Sequence, residues 1–214
     1  YQGKLKDLFI PRMFKLLLIG IMIGIFQQIT GINVIMYYAP TIFRFAGFGT
    51  DSALLQTVLM GIVNMVFAIA SMFFVDKLGR RPLMIIGSAG MGLCLLALAV
   101  IFIYPDIHRF FVLGSIMGFL AFFGFSLGPV VWVIISEIFP NKLRSYAVAV
   151  TVFFIWASNF IVSLSFPYLL ANLGGHSFFI FSFMCFLCVL FVVKYLKETK
   201  GKTLERIEYE LTEA

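Results

Sequence analysis

The chain has 214 residues, of which 62% are apolar and 12% charged, and 27 of them are Phe. Soluble domains carry about 25% charged residues, so this composition, with a mean hydropathy of +1.05, excludes a soluble enzyme, a disordered chain and a secreted disulfide scaffold. There is apolar length for six crossings of about 20 residues each, and the chain reads as an integral membrane protein.

Residues 1–13 set Lys4, Lys6 and Arg12 among Leu5, Leu8 and Phe9, the pattern of a short amphipathic segment at a membrane surface. The sequence opens on Tyr1 and a basic stretch in place of a signal peptide, so a portion of something longer is expected. Six apolar runs follow, over 14–38, 53–75, 82–104, 110–135, 146–170 and 177–196. They are apolar on nearly every face, where membrane strands alternate apolar and polar positions. The expected fold is therefore all-α, a polytopic bundle of six transmembrane helices over 14–196. In the tail, 197–214, Leu204, Ile207 and Leu211 share one stripe, which predicts a short surface helix.

The charges are placed as a membrane protein places them. Fourteen of the 16 Lys and Arg fall in the two end segments and in alternate gaps, leaving only Arg44 and Arg109 in the others. The positive-inside rule then puts both ends on the cytoplasmic side of a cell membrane. The same confinement to gaps argues against a nucleic-acid partner for a chain of net charge +6. Cys94, Cys185 and Cys188 lie inside apolar runs, and the C-x-x-C of Cys185 and Cys188 has no His or acid beside it, so it reads as packing. No Ser/His pair, metal cluster or buried acid is available, so no enzyme, metal or cofactor is expected.

Inside a bilayer the informative residues are polar, since each needs a partner or a substrate. The first run holds Gln27, Gln28, Thr30, Gly31 and Asn33, then Tyr37 and Tyr38. Gly31 weakens the helix there, and a local break frees backbone groups beside the amides. Amides supply donors and acceptors without charge, as a polyhydroxylated ligand requires. A single amide would read as interhelical bonding; three with two tyrosines favour a lined cavity. Asn64 in the second run fits either reading. The fourth run carries Ser126, Gly128-Pro129, which kinks a helix, and Trp132; the fifth carries Trp156 and Asn159. Flat aromatic faces beside amides suit a sugar ring. Gly20/Gly24, Gly114/Gly118 and Gly124/Gly128 have the spacing of close helix contacts. Asp76, Arg80 and Arg81 in one basic gap, and Glu137 and Arg144 in another, are either ordinary solvated ends or an ion-pair lock between helix ends.

The linked motifs Gln27-Gln28-x-x-Gly31-x-Asn33 with Tyr37-Tyr38, Asp76-x-x-Gly79-Arg80-Arg81, Gly128-Pro129-x-x-Trp132 with Glu137-Ile-Phe-Pro140 and Arg144, and Glu198-Thr-Lys-Gly-x-Thr203-x-Glu205 span the chain. Together they resemble the C-terminal six-helix half of a sugar porter of the major facilitator superfamily. The resemblance implies a transporter working by alternating access, taking up a pyranose such as D-xylose or a hexose, with an N-terminal half as partner. It implies sugar contacts at Gln27, Gln28, Asn33, Asn64, Gly128, Trp132 and Trp156, an outer gate at Tyr37 and Tyr38, and a cytoplasmic charge network of Asp76, Arg80, Arg81, Glu137 and Arg144. Ile155 stands where the family often has an amide, Gly124 where human glucose facilitators have a glutamate, and Lys197 where a proline is usual. None of the ten acids lies within an apolar run, so a proton-coupling group is expected in the other half. An uncoupled facilitator and a non-transporting sugar sensor remain alternative readings.

Overall fold

The computed structural model describes residues 5–104 and 110–201, and among these every regular element is helical. The tail stripe at Leu204, Ile207 and Leu211 lies outside the described residues. Nine α-helices follow one another: α1 (Pro11–Ile29), α2 (Ile32–Tyr37), α3 (Ala39–Phe45), α4 (Thr50–Leu78), α5 (Arg80–Ile103), α6 (Phe110–Phe125), α7 (Leu127–Ile138), α8 (Arg144–Leu173) and α9 (Ser177–Tyr195). A 3-10 turn at Leu5–Phe9 precedes them, with Leu8 buried in the bundle.

Among the described residues eight of these helices make six crossings, because two crossings are broken midway; α3 is a short helix between the first crossing and the second. α1 and α2 form the first, α6 and α7 the fourth. The 52-residue helical stretch Arg144–Tyr195 holds two crossings, since a 3-10 turn at Gly174–His176 separates α8 from α9 and Gly174 takes φ 54°. α1, α5 and α8 start, and α4, α7 and α9 end, at the side rich in Lys and Arg.

The first break follows from Gly31, whose φ of 92° lies in the left-handed region. The Gly31 amide donates to Gln28 O at 3.0 Å instead of to Gln27 O. The Gln27 carbonyl is covered by the Thr30 hydroxyl at 3.0 Å. α2 then restarts with Ile35 N to Gly31 O at 3.0 Å. Behind the break stands α9: a Cβ on Gly31 would lie 3.0 Å from the Phe181 ring.

The second break has the same chemistry. Pro129 has no N–H for the carbonyl four residues back, Phe125, and the helix parts at Ser126, with φ −129° and ψ −93°. The Ser126 amide turns to Phe123 O at 3.1 Å. Its hydroxyl covers the Phe122 carbonyl at 2.6 Å. In hydrocarbon an uncovered carbonyl is costly, so a hydroxyl at each break is what lets the helix part there.

Lipid tails are as apolar as the side chains, so close packing and hydrogen bonds hold such helices together. Ser182 donates to Gly92 O at 2.7 Å and Ser88 to Cys188 Sγ at 3.3 Å, tying α5 to α9. A Cβ on Gly24 would meet the Ile155 side chain at 2.6 Å, so α1 lies directly on α8. Gly20 packs on Phe139 and Gly118 on Cys94, whereas Gly114 faces open space. α4 is the least covered of the long helices: only 11% of its apolar window is buried, against 67% for the first crossing.

Candidate functional site

The two helix breaks meet. Gln27, buried at the end of α1, donates its side-chain amide to Leu127 O at 3.0 Å and Gly128 O at 3.3 Å, the first carbonyls of α7. Gln28 donates to Gln27 Oε1 at 3.3 Å, and Asn33, across the break on α2, donates to Gln28 Oε1 at 2.5 Å. The three amides thus form one directed chain, Asn33 to Gln28 to Gln27 to the α7 backbone. In it Gln27 points its amide nitrogen at two carbonyls while Gln28 and Asn33 each spend one donor, leaving Asn33 Oδ1 and the second N–H of Asn33 and Gln28 for another partner. Gly128, whose position the sequence reading assigned to the sugar, enters through its carbonyl.

Asn64 approaches the same region from α4. A Cβ on Gly124 would lie 2.7 Å from the Asn64 carbonyl and 3.0 Å from its Oδ1, so the missing side chain lets α4 rest on α6. Asn64 Oδ1 is buried without a hydrogen-bond partner. An orphan acceptor costs about 1–3 kcal/mol, and a hydroxyl donor relieves it. Trp132 on α7 and Trp156 on α8 are 45% and 58% exposed, on the open surface of the bundle. Tyr37 is likewise 57% exposed, while its neighbour Tyr38 turns inward and donates to Ser163 O at 3.0 Å.

Sequence reasoning passed over Gln56, eight residues before Asn64 on the same stripe of α4. It is buried, and its Oε1 also lacks a partner. The rule that singled out Asn64, a buried amide in an apolar run, would have found it. Ile155 is buried on Gly24.

A second cluster sits at the Lys- and Arg-rich ends. Arg80 holds Glu137 through two bonds, Nη2 to Oε1 at 2.7 Å and Nε to Oε2 at 3.2 Å, and reaches Asp76 at 3.1 Å. The Glu137 pair carries the weight, since those side chains are 13% and 26% exposed whereas Asp76 is 77% exposed and screened by solvent. Arg80 also donates to Val75 O at 3.2 Å and Lys200 to Lys77 O at 2.7 Å, two cations on the C-terminal carbonyls of α4.

Two members went unpredicted. Glu198 accepts from the Arg80 and Arg81 backbone amides at 2.9 and 3.0 Å, capping the start of α5, and Thr199 donates to Glu137 at 2.6 Å. Gly79 precedes α5 and has no side chain to cap it, so the first amides of α5 need an acceptor from elsewhere. That need is the signal for Glu198. The Arg81 side chain donates to Val193 O at 2.8 Å, and Arg144 to Phe139 O at 3.3 Å, so both brace helix ends through carbonyls. The described residues hold no group of three metal-ligating side chains.

The family model described as "Sugar (and other) transporter" matches residues 2–211. The D-xylose-proton symporter of Escherichia coli K12 is 44% identical over 199 residues, 90% of this chain and 40% of that protein. The arabinose-proton symporter of Bacillus subtilis is 39% identical, over 97% of this chain and 45% of its own length. A structure of the proton:xylose symporter XylE bound to 6-bromo-6-deoxy-D-glucose superposes with a TM-score of 0.83 at 43% identity, covering 91% of this chain and 42% of that one. Its inward-open form, from E. coli, superposes with a TM-score of 0.81. This chain thus spans about two fifths of the length of the relatives it matches. With that match, its six apolar crossings and its broken helices, the chain belongs to the sugar transporter family of the major facilitator superfamily, a family of transporters rather than enzymes.

Proposed function

We propose that this chain is one half, residues 14–196 with short cytoplasmic flanks at 1–13 and 197–214, of a proton-coupled monosaccharide transporter. A second six-helix half completes the path. The observation that carries the reading is the directed amide chain Asn33, Gln28, Gln27, which ends on the broken helix α7 and keeps unspent donors and an acceptor at membrane depth. A sugar hydroxyl both donates and accepts, so it meets the Asn33 and Gln28 groups and relieves Asn64 Oδ1 without bringing charge into the bilayer. Gly128 lies at that crossing of helices, and Trp132 and Trp156 offer faces for the apolar side of a pyranose ring.

In this reading the basic ends are cytoplasmic, Tyr37 and Tyr38 lie at the outer gate, and the Arg80–Glu137 cluster with Asp76, Arg81 and Arg144 steadies the inner ends of the helices. Alternating access follows from rocking of the two halves about the site. The relatives include D-xylose and arabinose symporters, which favours a pentose or similar pyranose and proton coupling. The coupling acid belongs to the other half, as every carboxylate among the described residues lies at or beyond a helix end rather than midway along a crossing.

The test is uptake of labelled D-xylose, L-arabinose and D-glucose by the full-length transporter in proteoliposomes, with internal pH recorded. Sugar-driven acidification with saturable uptake supports the reading; uptake without a pH change identifies a facilitator, and binding without flux a sensor. Gln28→Ala should weaken sugar binding about tenfold, and an unchanged affinity would remove the amide chain from the site.

A further inference from the structure

α8 is continuous through Pro167, although proline has no N–H for the carbonyl four residues back. That carbonyl belongs to Ser163, and within a membrane it needs a donor from elsewhere. The Tyr38 hydroxyl provides one at 3.0 Å. The fit is reinforced around it: the Tyr38 ring lies 5.1 Å from that of Phe166, which is fully buried and 6.1 Å from Phe181. Phe181 is the residue that stands behind Gly31. α2 is therefore held at both ends, at its hinge by a ring from α9 and at its tip by a carbonyl of α8. Ser163 also donates its own hydroxyl to Asn159 Oδ1 at 3.0 Å, so its side chain is engaged and only the carbonyl is left for Tyr38.

We propose that Pro167 is a positioning residue for the outer gate. By withholding the intrahelical donor from the Ser163 carbonyl, it creates the acceptor on which Tyr38 latches α2 to α8. The proposal rests on the reading of Tyr38 as an outer-gate residue of a sugar transporter. Tyr37, one position earlier and exposed, is the natural reporter because it rides on the same tip without joining the latch.

The experiment uses the full-length transporter in a cysteine-free background with Tyr37→Cys, labelled from outside by a membrane-impermeant maleimide, and sugar uptake is measured on the same preparations. One neutral hydrogen bond corresponds to about fivefold in an equilibrium, so Tyr38→Phe should raise the labelling rate about fivefold. Pro167→Ala, which returns an N–H to Ser163, should raise it similarly. The double variant should label no faster than either single one, because both remove the same bond. An unchanged rate in Tyr38→Phe overturns the proposal, and so does a double variant whose effect is the product of the two. If Pro167→Ala fails to insert, Pro167→Ser serves in the same comparison, and Tyr38→Phe decides by itself. Absence of sugar uptake by the unsubstituted transporter would instead defeat the transporter reading, which separates the two failures.

Discussion

The Gln27 side chain donates across 3.0 Å to the carbonyl of Leu127, 100 residues away in sequence, and so joins the two helix breaks. Gln27→Met keeps the volume and removes the bond. Interhelical hydrogen bonds in membranes are worth about 1 kcal/mol, so the variant should lose that much stability in reversible unfolding of the full-length protein in bicelles. Sugar affinity should fall with it, since Gln28 loses the group that orients it. Retained stability and affinity together would show that the breaks are not coupled through Gln27.

Arg80→Ala leaves Glu137 half-buried without its cation and takes one donor from the Val75 carbonyl near the end of α4. Transport should slow more than equilibrium sugar binding weakens, because the cluster lies at the helix ends rather than among the amides. Asp76→Asn should change either by less than about twofold, its partner contact being exposed. Flux and binding assays on the same vesicles check both, and an equal loss of binding and flux in Arg80→Ala would refute a gating role.

Gly79 and Gly47 make an internal comparison. Both have a positive φ, 91° and 84°, which an alanine adopts only at a cost of about 1–3 kcal/mol. A Cβ at Gly47 meets nothing within 4 Å, while one at Gly79 would lie 2.6 Å from the Glu198 carboxylate that caps α5. Gly79→Ala should therefore lower the thermal unfolding temperature more than Gly47→Ala, and equal shifts would mean the cap contributes nothing.

Gly124→Val places branched methyls against the Asn64 backbone and forces α4 away from α6. Sugar affinity should drop severalfold while the protein still inserts and folds, since α4 is the least covered long helix and can shift. Isothermal titration with D-xylose reads the effect; unchanged affinity would remove Asn64 from the site.

Much of this arrangement is legible in the residues, for a physical reason. Hydrocarbon demands long unbroken apolar runs, so the fifth run expected at 146–170 and the helix Arg144–Leu173 agree to within three residues. The break at Gly31 is legible because a helix-weakening glycine stands among polar groups. The second break is displaced from the expected Gly128-Pro129 to Ser126 because proline acts on the carbonyl four residues before it. α3 went unforeseen: Pro40 at its first turn restarts a helix just where the apolar run ends. Partners distant in sequence, such as Gln27 with Leu127 and Glu198 with the start of α5, leave no local trace. They follow only from asking which backbone groups each element leaves unpaired.

Thr30 and Ser126 also change what bending costs. Each hydroxyl covers the carbonyl that its break has stripped of an amide, and it comes from the same chain three or four residues on, so the cover is local to the break. A flexing crossing therefore need not bare a peptide group to lipid or wait for water to reach it. Neither polar joint depends on water to cover its carbonyl.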